Sequence, residues 1–135
     1  LLNDPSIDAI AVATPVATHF PIGMAALQAG KHLWLEKPMT ETSEQARQLN
    51  EEAQRRGLIV HVDHTFVYTP AVQKMGEIIR SGDLGEMYYY DSTRVNLGLF
   101  QRDVSVIADL AVHDFAILDY LLGAQPRAVS ASGIN

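Results

Sequence analysis

The stretch LWLEKPMTETSEQ, residues 33–45, decides the fold. An apolar run stops at Glu36, Lys37 and Pro38, and a helix-type pattern starts a few residues later. Thr42 with Gln45 three residues on is a capping-box pattern, in which the hydroxyl serves an orphan N–H of the first turn. Behind it, residues 42–57 place Ala46, Leu49 and Ala53 on one face. Glu51 with Arg55 and Glu52 with Arg56 are favourable pairs at i,i+4, and Gly57 ends the segment. The reading is a buried strand that ends on an acid, a base and a proline, followed by an amphipathic helix.

Working outward, the same alternation repeats. IDAIAVATP, residues 7–15, is a short, nearly unbroken apolar run ending at a turn, which suits a strand buried on both faces. THFPIGMAALQAG, residues 18–30, reads as a helix with Thr18 at its N-cap and Gly30 just past its end. LIVHVDHTF, residues 58–66, reads as a third strand. Helix-length crossovers force parallel strands, so residues 7–13, 32–36 and 59–63 are expected to be parallel neighbours in one sheet. After Thr69 the pattern changes. Residues 70–85 read as a helix with Pro70 in its first turn, and residues 86–97 as an aromatic-rich strand. Residues 109–123 read as a helix with Ala111, Phe115, Leu118 and Leu122 on one face, and residues 127–134 as another strand. A domain change is placed near residues 66–70. The fold class is α/β.

Composition narrows the function. The 135 residues carry a net charge of −6, with Lys and Arg scattered and never in a run, which speaks against a nucleic-acid partner. There is no cysteine, which removes disulfides, thiol catalysis and zinc–thiolate sites. No apolar run approaches the ~20 residues of a membrane span, so no membrane partner is expected. The first residue is Leu and the chain opens already heading into a strand, so it reads as part of something longer, and any targeting signal would precede Leu1.

Ligands of open α/β sheets bind beyond the carboxyl ends of the strands. Three expected strands end in polar or turn residues: Thr14-Pro15, Glu36-Lys37-Pro38 and Asp63-His64. Pro38 biases Lys37 towards extended backbone and stops the strand, leaving the lysine at its lip. Surface charges at a loop, or a (β/α)₈ barrel fragment, would also account for this trio; the change of pattern after Pro70 argues against the barrel. A second constellation is DLAVHD, where Asp109 and His113 are four apart and share a helix face. An acid there can orient an imidazole and stabilise its charged form. The alternatives are an N-capping Asp109 beside a partly buried His113, or a metal pair lacking further ligands. His19 and His32 read as packing or surface residues.

Taken together, these segments resemble the Gfo/Idh/MocA family of NAD(P)-dependent oxidoreductases. The resemblance is carried by AGKHLWLEKP (29–38) with its Glu-Lys-Pro trio, by SGDLGE (81–86) and by DLAVHDFAILDYLLG (109–123). It implies that residues 1–66 are the C-terminal half of a Rossmann dinucleotide domain and residues 67–135 the N-terminal part of an α+β substrate domain. It implies NAD or NADP as cofactor, with Thr14, Pro15, His19, Glu36 and Lys37 lining its site. Lys37, Asp109 and His113 would be catalytic, with His113 as acid/base. The chain departs from the family pattern at Ala111, where Gly is common, at Ala116, where an acid is frequent, and at Phe66-Val67, where an Arg pair is frequent. HTFVY and RVNLGLFQRDVSVIADLAVHD look like the branch that oxidises UDP-linked N-acetyl sugars. Arg94, Asn96 and Arg102 would then meet polar or anionic groups of the substrate; ordinary strand and loop polarity is the other reading of these three. The implied protein is a cytoplasmic, homo-oligomeric dehydrogenase of sugars or sugar nucleotides, inactive as this stretch alone. The rival is a non-catalytic dinucleotide-binding sensor of the same fold, which would not need to keep Lys37, Asp109 and His113 together.

Overall fold

The structure is a computed structural model and describes residues 1–95 and 104–133. Its centre is a parallel sheet of three strands, β1 (Ala9–Val12), β2 (His32–Leu35) and β3 (Val60–Val62), in the order β1-β2-β3. Ala9 is in register with His32, Val12 with Leu35, Leu33 with Val60 and Leu35 with Val62. Helices α1 (His19–Gln28) and α2 (Ser43–Arg56) are the two crossovers. The parallel arrangement follows from their length, since a strand that must re-enter in the same direction needs a connection of this size.

Both crossovers pack on the same sheet face. Val12, Leu33 and Leu35, from alternate positions of β1 and β2, share one core with Ala26 and Leu27 of α1 and Leu49 and Ala53 of α2. Among the described residues the opposite face is more open: Ala9 and Ala11 are exposed. The expectation that the first strand is buried on both faces is therefore corrected; among the described residues one face has helices against it and the other has none. The absence of a side chain at Gly23 lets α1 lie close to the sheet, because a Cβ there would stand 2.8 Å from a Leu33 methyl carbon and 3.3 Å from one of Leu49.

The helix ends show which local signals operate. Thr42 accepts a hydrogen bond from the Gln45 N–H at 3.2 Å, as the capping box requires. The reciprocal bond shifts by one residue, since Gln45 Oε1 accepts from the Glu41 N–H and not from Thr42. Gly57 takes left-handed backbone at the end of α2. Glu52 pairs with Arg56 as expected, but Arg55 also turns to Glu52, and Glu51 pairs with Arg47. Thr18 does not cap α1; its hydroxyl donates to the Pro15 carbonyl within a short 3₁₀ turn, Val16–Thr18. Lys31, unremarked in the sequence, is buried and donates to the carbonyls of Asp4 and Ile7, tying the segment before β1 to the start of β2.

The second half is built on helices. A 3₁₀ turn, Thr65–Tyr68, leads into α3 (Pro70–Ser81), and α4 (Val112–Leu122) packs against both. Val72, Ile117 and Leu121 form a smaller core. The strands expected at residues 86–97 and 127–134 are not found among the described residues. A strand needs a partner for its ladder of N–H and C=O groups, and none is offered here. Tyr88, Tyr89 and Val129 are accordingly exposed. The buried face of α4 is also rotated from the expected one: His113, Ile117 and Leu121 point inward, while Phe115 and Leu122 are exposed. No helix among the described residues is long and apolar enough to cross a membrane.

Candidate active site

The carboxyl end of β2 hands the chain to Glu36, Lys37 and Pro38 through a cis Lys37–Pro38 peptide. Glu36 is half-buried, and its carboxylate accepts from the N–H of Lys37 at 3.1 Å. Lys37 reaches across to the second half of the chain. Its ammonium donates to Asp109 Oδ1 at 2.7 Å and to the Asp109 backbone carbonyl at 2.8 Å. Both side chains are about three-quarters shielded, at 22% and 25% exposure. Two of the three ammonium protons are thus placed, which fixes the direction of the group.

Asp109 is not the N-cap of a helix. It lies inside a π-helical turn, Ile107–Ala111, that runs directly into α4. Its N–H donates to the Ser105 carbonyl, and the Ser105 hydroxyl accepts from the Ala108 N–H, so Ser105 serves the helix start. Single π turns within helices recur at functional sites because they re-aim the side chains around them. The carboxylate is aimed at Lys37, not at His113. The expectation that Asp109 orients the imidazole is therefore corrected, because the ammonium has taken the carboxylate.

His113 is buried, and its Nδ1 has no hydrogen-bond partner among the described residues. Phe66 stands edge-on to its ring, with centroids 4.7 Å apart. Burial lowers its proton affinity below the ordinary imidazole value of 6.5, and the positive charges of Lys37 and Arg94 push the same way, as does His64; Asp114 opposes them. His64, just past β3, also has a buried Nδ1 without a partner among the described residues, and burial lowers its proton affinity. Arg94 makes a two-point contact with Asp114, at 2.6 and 3.1 Å, and its guanidinium lies 5.0 Å from the Phe66 ring centroid. Asn96 and Arg102 lie outside the described residues.

The other expected positions fall at the strand ends. Thr14 and Pro15 follow β1 and are exposed. The Thr14 and Thr18 hydroxyls are 2.6 Å apart. His19 is 1% exposed, and its two ring nitrogens face the carbonyls of Thr14 at 2.8 Å and Pro38 at 3.0 Å. It ties the loop after β1 to the loop after β2, which sequence reading of an isolated histidine did not show. His32 accepts from the Ile59 N–H and so joins β2 to β3. Among the described residues no group of three metal-ligating side chains is assembled. A hydroxyl, a carboxylate and an ammonium thus stand at adjoining strand ends, beside two buried imidazole nitrogens that have no partner among the described residues, where open α/β sheets bind their ligands.

Residues 1–64 match the family model described as an oxidoreductase family with an NAD-binding Rossmann fold. The chain belongs to the Gfo/Idh/MocA oxidoreductase family. It is 36% identical over 131 residues to a UDP-N-acetylglucosamine 3-dehydrogenase of Acidithiobacillus ferrooxidans, covering 95% of this chain and 40% of that protein. It is 30% identical over 138 residues to the scyllo-inositol 2-dehydrogenase (NAD(+)) of Bacillus subtilis, covering 98% of this chain and 40% of the relative. A solved oxidoreductase structure from Bacteroides fragilis superimposes with a TM-score of 0.78 at 31% identity, over 91% of this chain and 36% of the other. The Gfo/Idh/MocA chain described here thus spans about two-fifths of the length of these relatives.

Proposed function

We propose that this chain is the nicotinamide-facing part of an NAD- or NADP-dependent dehydrogenase that oxidises a secondary alcohol of a sugar nucleotide. The reading rests on one observation above the others: Lys37, at the lip of β2, is locked to Asp109 from the other half of the chain, one turn before the buried His113. In this reading residues 1–66 belong to the dinucleotide domain and residues 67–135 begin the substrate domain. Thr14, Pro15, Glu36 and Lys37 would hold the nicotinamide end of the cofactor, which supplies the hydride acceptor when bound. Activity needs segments beyond those described, and the working protein is a homo-oligomer.

His113 serves as the base. Burial and the nearby cations keep its imidazole neutral at lower pH than a free imidazole, so it is ready to take the hydroxyl proton. Lys37 hydrogen-bonds the reacting oxygen, and its positive charge favours the alkoxide character that develops there. Asp109 holds the ammonium in place for this task. The higher identity to a UDP-sugar dehydrogenase than to an inositol dehydrogenase supports the substrate class. The test is reduction of NAD or NADP by the full-length protein with UDP-N-acetylglucosamine and, separately, with scyllo-inositol. The nucleotide sugar is expected to exceed inositol by at least about tenfold in kcat/KM, since hydrogen bonds to extra groups discriminate strongly. Dinucleotide binding without turnover on either would favour the sensor reading.

A further inference from the structure

Arg94 stands where a contact to an anionic substrate group would be sought, yet its own carboxylate partner already holds it. Its Nε donates to Asp114 Oδ2 at 2.6 Å and its Nη2 to Asp114 Oδ1 at 3.1 Å, while the Ser92 hydroxyl donates to the same Oδ1 at 2.8 Å. This forked geometry is the strongest that arginine makes. The pair is mostly shielded, at 28% and 19% exposure. The guanidinium lies over Phe66, and Phe66 stands edge-on to His113. Asp114 is the next residue after His113 on α4. The clamp therefore closes a ring of contacts: Arg94 to Phe66, Phe66 to His113, His113 along the backbone to Asp114, and Asp114 back to Arg94.

We propose that Arg94 and Asp114 are positioning residues that set the orientation and charge environment of His113, and that Arg94 is not a substrate contact. The proposal rests on the catalytic assignment of His113 made above. Phe66 is the intermediary. Its ring offers His113 no hydrogen bond, so the imidazole is held by shape and keeps its nitrogens for the reaction. The charged and titratable groups that act on His113 are Lys37 from the loop after β2, His64 from the end of β3, Arg94 from the segment after α3, and Asp114 from α4 itself. Arg94 and Asp114 act in opposite senses, the cation lowering and the carboxylate raising the proton affinity of the imidazole.

The experiment is the pH profile of kcat and kcat/KM for Arg94→Gln, Arg94→Lys and Asp114→Asn in the full-length protein with its dinucleotide and UDP-N-acetylglucosamine. Arg94→Gln is expected to lower kcat by roughly 10- to 100-fold, the usual cost of a displaced catalytic group. Its acid limb should move to higher pH, because a cation beside the imidazole has gone. Asp114→Asn should move the limb the other way, because the carboxylate is lost and the cation left uncompensated. Arg94→Lys keeps the charge but not the fork or the stacking. It should lower kcat with the limb near the parent position. KM for the nucleotide sugar should stay within about threefold in all three, since no binding contact is removed. A rise in KM of about tenfold or more with the limb unmoved would overturn the proposal and make Arg94 a substrate contact. An unshifted limb in both Arg94→Gln and Asp114→Asn would overturn it as well. If His113→Asn leaves the parent profile intact, it is the assignment of His113 that fails, and the two failures are thereby distinguished.

Discussion

The two halves of the chain solve the same problem, burying apolar residues, by different means. In the first half two helices and a sheet enclose Leu27, Leu33, Leu35 and Leu49, each at 2% exposure or less. In the second, Val72, Ile117 and Leu121 form a core in which each residue keeps 7–8% exposure, and Tyr88, Tyr89 and Val129 stand open. A parallel βαβαβ unit contains its own pairing partners. The segments at 86–95 and 127–133 have strand-like composition but meet no partner strand among the described residues. The catalytic candidates are divided between these regimes: Lys37 leaves the well-packed half, and Asp109 and His113 come from the looser one.

If the seam between the halves is the reaction centre, the largest effects fall there. His113→Asn is expected to slow sugar-nucleotide oxidation by ~10²- to 10⁴-fold and to abolish the ionisation that governs the acid limb. In the parent protein that limb should lie below 6.5, the direction set by burial and the neighbouring cations. Lys37→Ala should cost ~10²-fold or more in kcat with a smaller change in dinucleotide affinity, because it acts on developing charge. Steady-state kinetics against pH, with dinucleotide binding measured separately, check both. Near-normal turnover of Lys37→Ala would leave the Lys37–Asp109 contact a structural clasp between the halves.

The contrast in packing should appear directly in stability. Leu49→Ala, at a fully enclosed position on the core face of α2, is expected to cost ~2–5 kcal/mol. Leu121→Ala, in the smaller core, should sit at or below the low end of that range, because its neighbours can relax into the space. Urea midpoints of the two variants in the full-length protein decide it. Equal losses would mean that segments outside those described complete the second core. A smaller effect, ~1 kcal/mol, is expected for Thr42→Ala, which removes the side-chain acceptor at the start of α2. Recovery with Thr42→Ser would tie the loss to the hydroxyl.

What could be read from the sequence follows the same division. The order of strands and helices in residues 1–64, their parallel pairing and the place of Lys37 at a strand end all come from local signals: apolar runs, a cap, a terminating glycine and proline. The orientation of Asp109 did not, because a π turn cannot be told from an α-turn by spacing. The inward face of α4 was misplaced for a related reason. Ala111, Phe115, Leu118 and Leu122 make a plausible apolar stripe, but the helix buries the stripe that includes His113, since α3 offers Val72 to Ile117 and Leu121. The long-range contacts of His19 and Arg94 were beyond reach, because each depends on a residue whose position only the fold supplies.

The smallest expected effect concerns pH and stability. His64 and His113 both have proton affinities lowered in the folded chain, chiefly by burial. Unfolding releases them to the ordinary value near 6.5, so the unfolded chain binds protons more readily than the folded one. The stability linked to these groups is therefore complete above about 6.5 and is lost as pH falls from there through the folded values. Asp114 works in a separate window. Arg94 holds its carboxyl below 3.8, so its contribution is full above that value and disappears only in stronger acid. Between pH 7.5 and 5.5 only the imidazoles should matter among these three groups. The urea midpoint of the parent protein should decline over that interval, and the decline should be shallower in His64→Gln and in His113→Asn than in the parent. The slope isolates burial of the ring from other losses, because a variant can be less stable at every pH and still keep the parent's slope. A parent slope that persists in both variants would mean that protons are taken up elsewhere on unfolding, and that the two rings are as well hydrated in the folded chain as in the unfolded one.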